Sequence, residues 1–181
     1  MNTEKWTSKI DFVTESFIGL FYELTEEQMN QKPSESTWSI AQNMEHLIRV
    51  NESYFPIIKS MQEGNYKTAF TGNVGFLVNA FGKMILKSVQ PDRKKKTKTF
   101  RIWEPDKNKI ITHILTRFHA HQSELKQTII DSRHLLEKGT VISSPANKYI
   151  VYKLETAFDI IVAHEERHLE QAKEVLPFLQ K

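Results

Sequence analysis

The stretch Ile161-Val162-Ala163-His164-Glu165-Glu166-Arg167-His168-Leu169-Glu170-Gln171-Ala172 decides the reading of this chain. Together with Leu154, Ala157, Phe158 and Val175 it puts apolar residues and both histidines at steps of three and four, the period of one buried helix face. That pattern predicts a helix from about Ala146 to Val175. Residues four apart lie one above the other on a helix, so His164 and His168 project side by side toward the interior. Two adjacent core imidazoles need partners, because a buried polar group without one costs about 1–3 kcal/mol. A shared metal ion satisfies both at once, at about 2.0–2.1 Å per nitrogen for zinc; separate hydrogen bonds to carboxylates or backbone are the alternative.

The same period recurs upstream. Trp6, Ile10, Val13, Phe17, Leu20, Phe21 and Leu24 predict a first helix, closed by Pro33 and the polar run Ser34 to Thr37. A second helix begins near Ser39 and carries Ile40, Met44, Leu47, Ile48, Asn51, Tyr54, Phe55 and Ile58, with a kink expected at Pro56. A third runs from Asp106, a good N-cap, to Lys138 with Gly139 as its stop, on the stripe Ile111, Ile114, Phe118, His121, Leu125, Ile129 and Leu136. Between the second and third helices lies a long connection with Gly64, Gly72 and Gly75, a short accessory helix over Phe76 to Ile85, and Pro91. The only strand-like piece is Phe100-Arg101-Ile102-Trp103. Four long amphipathic helices with one long crossover predict an all-α protein, a four-helix bundle formed as a single domain over residues 1–181.

A mononuclear site wants a third ligand, and two histidines compete for it on the residues alone. His46 lies at the edge of the second helix's apolar face; His121 lies inside the third helix's stripe. The run His164 to His168 also spells H-E-x-x-H, in which Glu165 would serve as the general base of a zinc protease. The extended protease motif wants Gly at 171 and His at 174, where this chain has Gln171 and Glu174. A di-iron bundle wants two Glu-x-x-His motifs; Glu165-x-x-His168 supplies one, and Asp131 precedes His134 where the second would need Glu.

Composition narrows the chemistry. The 181 residues include no cysteine, which excludes disulfides, thiolate ligands and a cysteine nucleophile and fits a reducing cytoplasm. The start Met1 to Trp6 lacks the basic-then-apolar order of a secretory signal, and no apolar run is long enough to span a bilayer, so neither export nor membrane insertion is expected. A formal charge of +3 is small for a nucleic-acid binder. The basic run from Arg93 to Arg101 lacks interleaved stacking aromatics and reads as a solvated loop.

Three segments carry a family resemblance. Trp38-Ser39-Ile40-Ala41-Gln42-Asn43-Met44-Glu45-His46-Leu47 resembles the W-S-x-x-Q-x-x-x-H-L start of the second helix in the DinB/YfiT-like superfamily. His164 to Gln171 resembles that family's H-x-x-x-H-x-x-Q, and Lys98 to Pro105 its basic, proline-ended approach to helix three. The resemblance implies a DinB-like four-helix bundle in up-down-down-up order and a three-histidine site of His46, His164 and His168. It also implies zinc or nickel as the metal and a homodimer as the assembly. His121 is outside that triad and remains a candidate base or core residue. The family includes thiol-dependent S-transferases, proteins classed as hydrolases and an isomerase. Because this protein has no cysteine, a reactive thiolate must arrive on a low-molecular-weight cosubstrate, and thiol transfer is the leading expectation. In that reading Arg167 would hold a carboxylate of the thiol, while Gln42 and Gln171 would orient ligand imidazoles. The alternatives are metal-assisted hydrolysis, with Glu165 or His121 as base, and a non-catalytic metal-binding stress-response protein.

Overall fold

The computed structural model describes residues 2–92, 99–106 and 109–179. Four long helices set the architecture: α1 (Glu4–Phe21), α3 (Ile40–Glu52), α6 (Ile114–Asp131) and α8 (Leu154–Lys173). The short α2 (Glu26–Asn30), α4 (Phe55–Gln62) and α7 (Arg133–Glu137), and the longer α5 (Gly75–Ser88), connect them. Each of α1 and α3 packs against both α6 and α8.

Cross-helix bonds give the directions. Trp6 Nε1 donates to Asp159 and Lys9 pairs with Glu166, so α1 and α8 run parallel. Lys126 of α6 pairs with Asp11 while the ring of Phe118 packs against that of Phe17, so α6 runs against α1. Glu45 meets Arg117 and Asn51 meets His121, which makes α3 parallel to α6. Asn43 meets His168 and Asn51 meets Glu165, which makes α3 antiparallel to α8. The order is therefore up-down-down-up. Two parallel neighbours in sequence, α3 and α6, cannot be joined by a short turn, because the chain must return the length of the bundle. The long crossover over residues 63–113, with α5 inside it, follows from that geometry.

Sequence supplies the local signals. Ser39 caps α3 in a reciprocal box with Gln42: Ser39 Oγ accepts from the Gln42 N–H at 3.1 Å, and Gln42 Oε1 accepts from the Ser39 N–H at 3.2 Å. The second helix does not merely kink. It stops at Glu52 and restarts at Phe55, with Pro56 in the first turn of α4, where a missing N–H costs nothing.

Three other expectations change. The third helix begins at Ile114 and not at Asp106, because Asn30 grips Ile111 through both backbone groups, at 2.8 and 2.9 Å, and His113 turns left-handed at φ 52°. It ends at Asp131, with α7 carrying the chain on to Gly139, whose φ of +64° makes it the expected stop. The last helix begins at Leu154 and not near Ala146. Residues 141–153 instead form an antiparallel hairpin, β1 (Val141–Ser144) with β2 (Asn147–Lys153), with Val141 opposite Lys153 and Ser143 opposite Val151. The hairpin carries α5, and at Gly82 the helix comes so close that a Cβ would stand 3.1 Å from Thr156 and 3.3 Å from Tyr152. Phe100–Trp103 is not a strand; residues Arg101–Trp103 form a single 3-10 turn.

The core is divided. One apolar cluster includes Trp6, Ile10, Tyr54, Leu125, Ile129, Phe158 and Ile161. The other includes Phe17, Phe21, Met44, Leu47, Phe118, Leu169 and Ala172. Between them on α3, α6 and α8 lie the buried polar side chains Asn51, His121, Gln122 and Glu165.

Candidate metal centre

The α3–α8 pairing brings three imidazoles together. His46 and His168 are 2% and 5% exposed, whereas His164 is only partly buried. His164 Nε2 lies 3.3 Å from His46 Nε2 and 3.1 Å from His168 Nε2. Two nitrogens sharing one tetrahedral zinc ion at about 2.0–2.1 Å would stand about 3.3–3.4 Å apart. Among the described residues these three form the one cluster of His, Cys, Asp and Glu side chains whose ligand atoms converge well enough to hold a metal ion.

The partners of the other ring nitrogens settle the tautomers. His46 Nδ1 lies 2.8 Å from the Trp103 carbonyl, which only accepts, so Nδ1 carries the proton. His168 Nδ1 lies 2.8 Å from Asn43 Oδ1. The Asn43 amide is itself oriented, because its Nδ2 donates to the Ser39 carbonyl at 2.9 Å. Both rings therefore present bare Nε2 lone pairs to His164 Nε2. A single proton on His164 can serve one of them at a time, and the other pair is left lone pair to lone pair. A cation shared by three nitrogens removes that conflict, and the Nδ1–H···O=C contacts are those that orient metal-binding imidazoles.

Electrostatics agree. Burial, only partly offset by the Trp103 carbonyl, pushes His46 down to about 4. Burial also holds His164 and His168 well below 6.5, with His46 and Arg167 adding to the effect on both and His164 adding to that on His168. All three are neutral at pH 7, as ligands must be. Trp38 covers the cluster, its ring 4.8 Å from His46 and 5.8 Å from His168.

The remaining expected residues have different neighbours. Gln42 completes the α3 cap and donates to the Asp106 carbonyl at 3.2 Å. With Arg49, which donates to the Glu104 carbonyl at 2.7 Å, and His46 on the Trp103 carbonyl, it pins residues 103–106 along one face of α3. Gln42 thus holds the loop that orients His46 and makes no hydrogen bond to an imidazole among the described residues. Gln171 is half-buried and makes no hydrogen bond to an imidazole among the described residues. Arg167 is buried and donates to the Ser88 carbonyl at 3.2 Å and the Gln90 carbonyl at 3.5 Å, fastening the C-terminal end of α5 to α8. Glu165 is fully buried: Asn51 Nδ2 donates to Oε1 at 2.8 Å and Gln122 Nε2 to Oε2 at 3.0 Å. Burial, only partly offset by these two bonds, raises its carboxyl to about 7. His121 belongs to this layer and not to the triad, with Nε2 3.3 Å from Asn51 Nδ2 and its ring against Phe55; burial lowers it to about 4. Of the basic run, residues 93–98 lie outside the described residues.

Asn43 and the Trp103 carbonyl are the functional groups that sequence reading missed. An Asn inside an apolar stripe, three residues before a candidate ligand, was the available signal for the first. A backbone carbonyl leaves no sequence signal.

Fold and cluster together define a helical bundle of up-down-down-up order that could hold a metal ion on three histidines from two antiparallel helices. The chain belongs to the DinB superfamily, whose family profile matches residues 9–172. No curated protein matches it significantly, and neither does any solved structure. Among the described residues no helix is long and apolar enough to cross a membrane.

Proposed function

We propose that this protein is a metal-dependent enzyme that holds one divalent ion on His46, His164 and His168 and transfers a low-molecular-weight thiol to an electrophile. The observation that carries the metal is the pair of tautomers fixed by Trp103 and Asn43, which aim two lone pairs at the third imidazole 3.1–3.3 Å away. A bound zinc or nickel ion would act as a Lewis acid that keeps a thiol ionised at neutral pH. The chain's own residues supply the rest. Trp103 and Asn43 hold the imidazoles in register, Trp38 packs over two of them, and a cosubstrate would enter beside His164, the least buried of the three. Arg167, next to His168, contributes a positive charge suited to a thiol bearing a carboxylate.

Hydrolysis with Glu165 or His121 as general base is disfavoured by where those groups lie. Both oxygens of Glu165 accept from carboxamides in the core, and His121 lies in that same layer. The test begins with metal analysis of protein purified without a His-tag, beside the His46→Ala variant. One ion per chain in the wild type and loss of it in the variant are expected; equal content and affinity in both would sink the triad. Metal-loaded protein is then assayed with panels of thiols and electrophiles. Conjugation supports the transferase, metal-dependent ester or amide cleavage without thiol supports the hydrolase, and neither supports a non-catalytic metal-binding stress-response protein. We propose a homodimer as the assembly and the cytoplasm as its place; light scattering of the purified chain tests the former.

A further inference from the structure

We infer that Glu165 is a positioning residue: through Asn51 and Gln122 it fixes the rotation of α8 against α3 and so brings His164 and His168 to His46. The inference rests on the metal reading above.

The bonds form a triangle across three helices. Asn51 to Glu165, at 2.8 Å, joins α3 to α8; Gln122 to Glu165, at 3.0 Å, joins α6 to α8; Asn51 to His121, at 3.3 Å, joins α3 to α6. The two helices tied most directly, α3 and α8, are the two that supply all three imidazoles. Neighbouring residues on a helix are held about 100° apart by the helix itself. A rotation of α8 that swings His164 away from His46 must therefore pull Glu165 from Asn51.

The apolar clusters on either side do not set rotation so sharply. Aliphatic and aromatic side chains repack at small cost when volume is kept, whereas hydrogen bonds are directional, and buried polar side chains are known to fix register between helices. The layer is also incompletely bonded. Asn51 Oδ1, His121 Nδ1 and Gln122 Oε1 are buried with no hydrogen-bond partner among the described residues, and each such atom is destabilising. A layer that leaves these buried atoms unpaired while tying together the ligand-bearing helices is explained by the geometry it imposes.

The test compares zinc affinity, measured by competition with a chromophoric chelator, with the cobalt(II) absorption spectrum and the unfolding temperature of metal-free protein. Glu165→Met should weaken zinc binding by about tenfold, the low end of what loss of a supporting contact costs a metal site, and shift the cobalt bands. Glu165→Gln can still accept from one carboxamide and donate to the other after it flips, so it should stay within about twofold of wild type. The variant carrying Asn51→Leu, His121→Phe, Gln122→Met and Glu165→Met leaves no polar group of the layer unpaired. It should unfold no lower than wild type and still bind zinc weakly. Wild-type affinity and cobalt spectrum in either Met-bearing variant would overturn the inference alone, as would a Glu165→Gln variant as weak as Glu165→Met. Wild-type protein that binds no zinc would overturn the metal reading, and this inference with it.

Discussion

Adjacent residues of one helix illustrate two ways of burying polarity. His164 faces two imidazoles whose protons are held on their far side, so lone pairs converge on one point. Glu165, the next residue, faces two carboxamide N–H groups, so donors converge on an acceptor. Both groups are pressed toward neutrality by burial, and they move in opposite directions: the imidazoles fall and the carboxyl rises. What separates them is the sign of the unmet need. The first region calls for a positive centre. The second already has its donors and carries its orphans at the periphery, on Asn51, His121 and Gln122. A polar cluster in a core is therefore evidence for a ligand only when its free valences point at one another.

Removing a ligand tests that contrast most severely. His164→Ala should weaken zinc binding by more than about 100-fold, beyond what loss of an orienting partner causes. Chelator competition measures it, and an affinity within tenfold of wild type would mean that the convergence of lone pairs has no bearing on metal binding.

pH separates Glu165 by sign from the imidazoles in metal-free protein, and His121, lowered to about 4 by burial, goes with the triad. The imidazoles' folded values lie below 6.5, at about 4 for His46. Below pH 6.5 the unfolded chain binds more protons than the folded one, and stability falls as pH drops toward 4. Glu165 opposes this: its value rises from 4.5 to about 7. Its contribution is fully present below pH 4.5 and is lost as pH rises through 7. Denaturant unfolding at a series of pH values should show net loss of stability from pH 7 to 5. Glu165→Gln should steepen that loss by on the order of a few kcal/mol, since a tenfold change in proton affinity is worth about 1.4 kcal/mol. An unchanged slope would show that Glu165 titrates as an ordinary carboxyl.

A smaller effect is expected from the orienting partner. Asn43→Ala frees the His168 ring and should cost about tenfold in zinc affinity, read by the same competition. The smallest belongs to the second region. His121→Phe keeps the ring against Phe55 and removes one orphaned nitrogen, so metal affinity should stay within about twofold and stability should change by less than about 1.5 kcal/mol, in line with a swap that nearly conserves volume. A loss as large as that of Asn43→Ala would place His121 among the groups that support the metal.

The same contrast explains what was legible beforehand. The pair His164 and His168 was visible because a helix fixes the geometry of residues four apart. His46 could be preferred to His121 only by resemblance to a family, since both lie on or beside apolar stripes. The hairpin at 141–153 was hidden because Leu154 and Ala157 extend an apolar pattern that can be continued backward into Ile150 and Val151. The β-branched and aromatic run Tyr149-Ile150-Val151-Tyr152 was the overlooked signal. The true start of the third helix was hidden because Asn30, far away in sequence, holds Ile111 extended.

By itself the sequence determined the helical period, the Ser39 cap of α3 and the two-histidine face, all of which depend on neighbours within a few residues. Tertiary structure alone decided that α3 lies antiparallel to α8, that Asn43 and the Trp103 carbonyl carry the protons' partners, and that Glu165 turns to carboxamides while His164 turns to imidazoles. Those outcomes depend on which side chains meet across helices, and that is set by packing and by the directions of lone pairs, not by spacing along the chain.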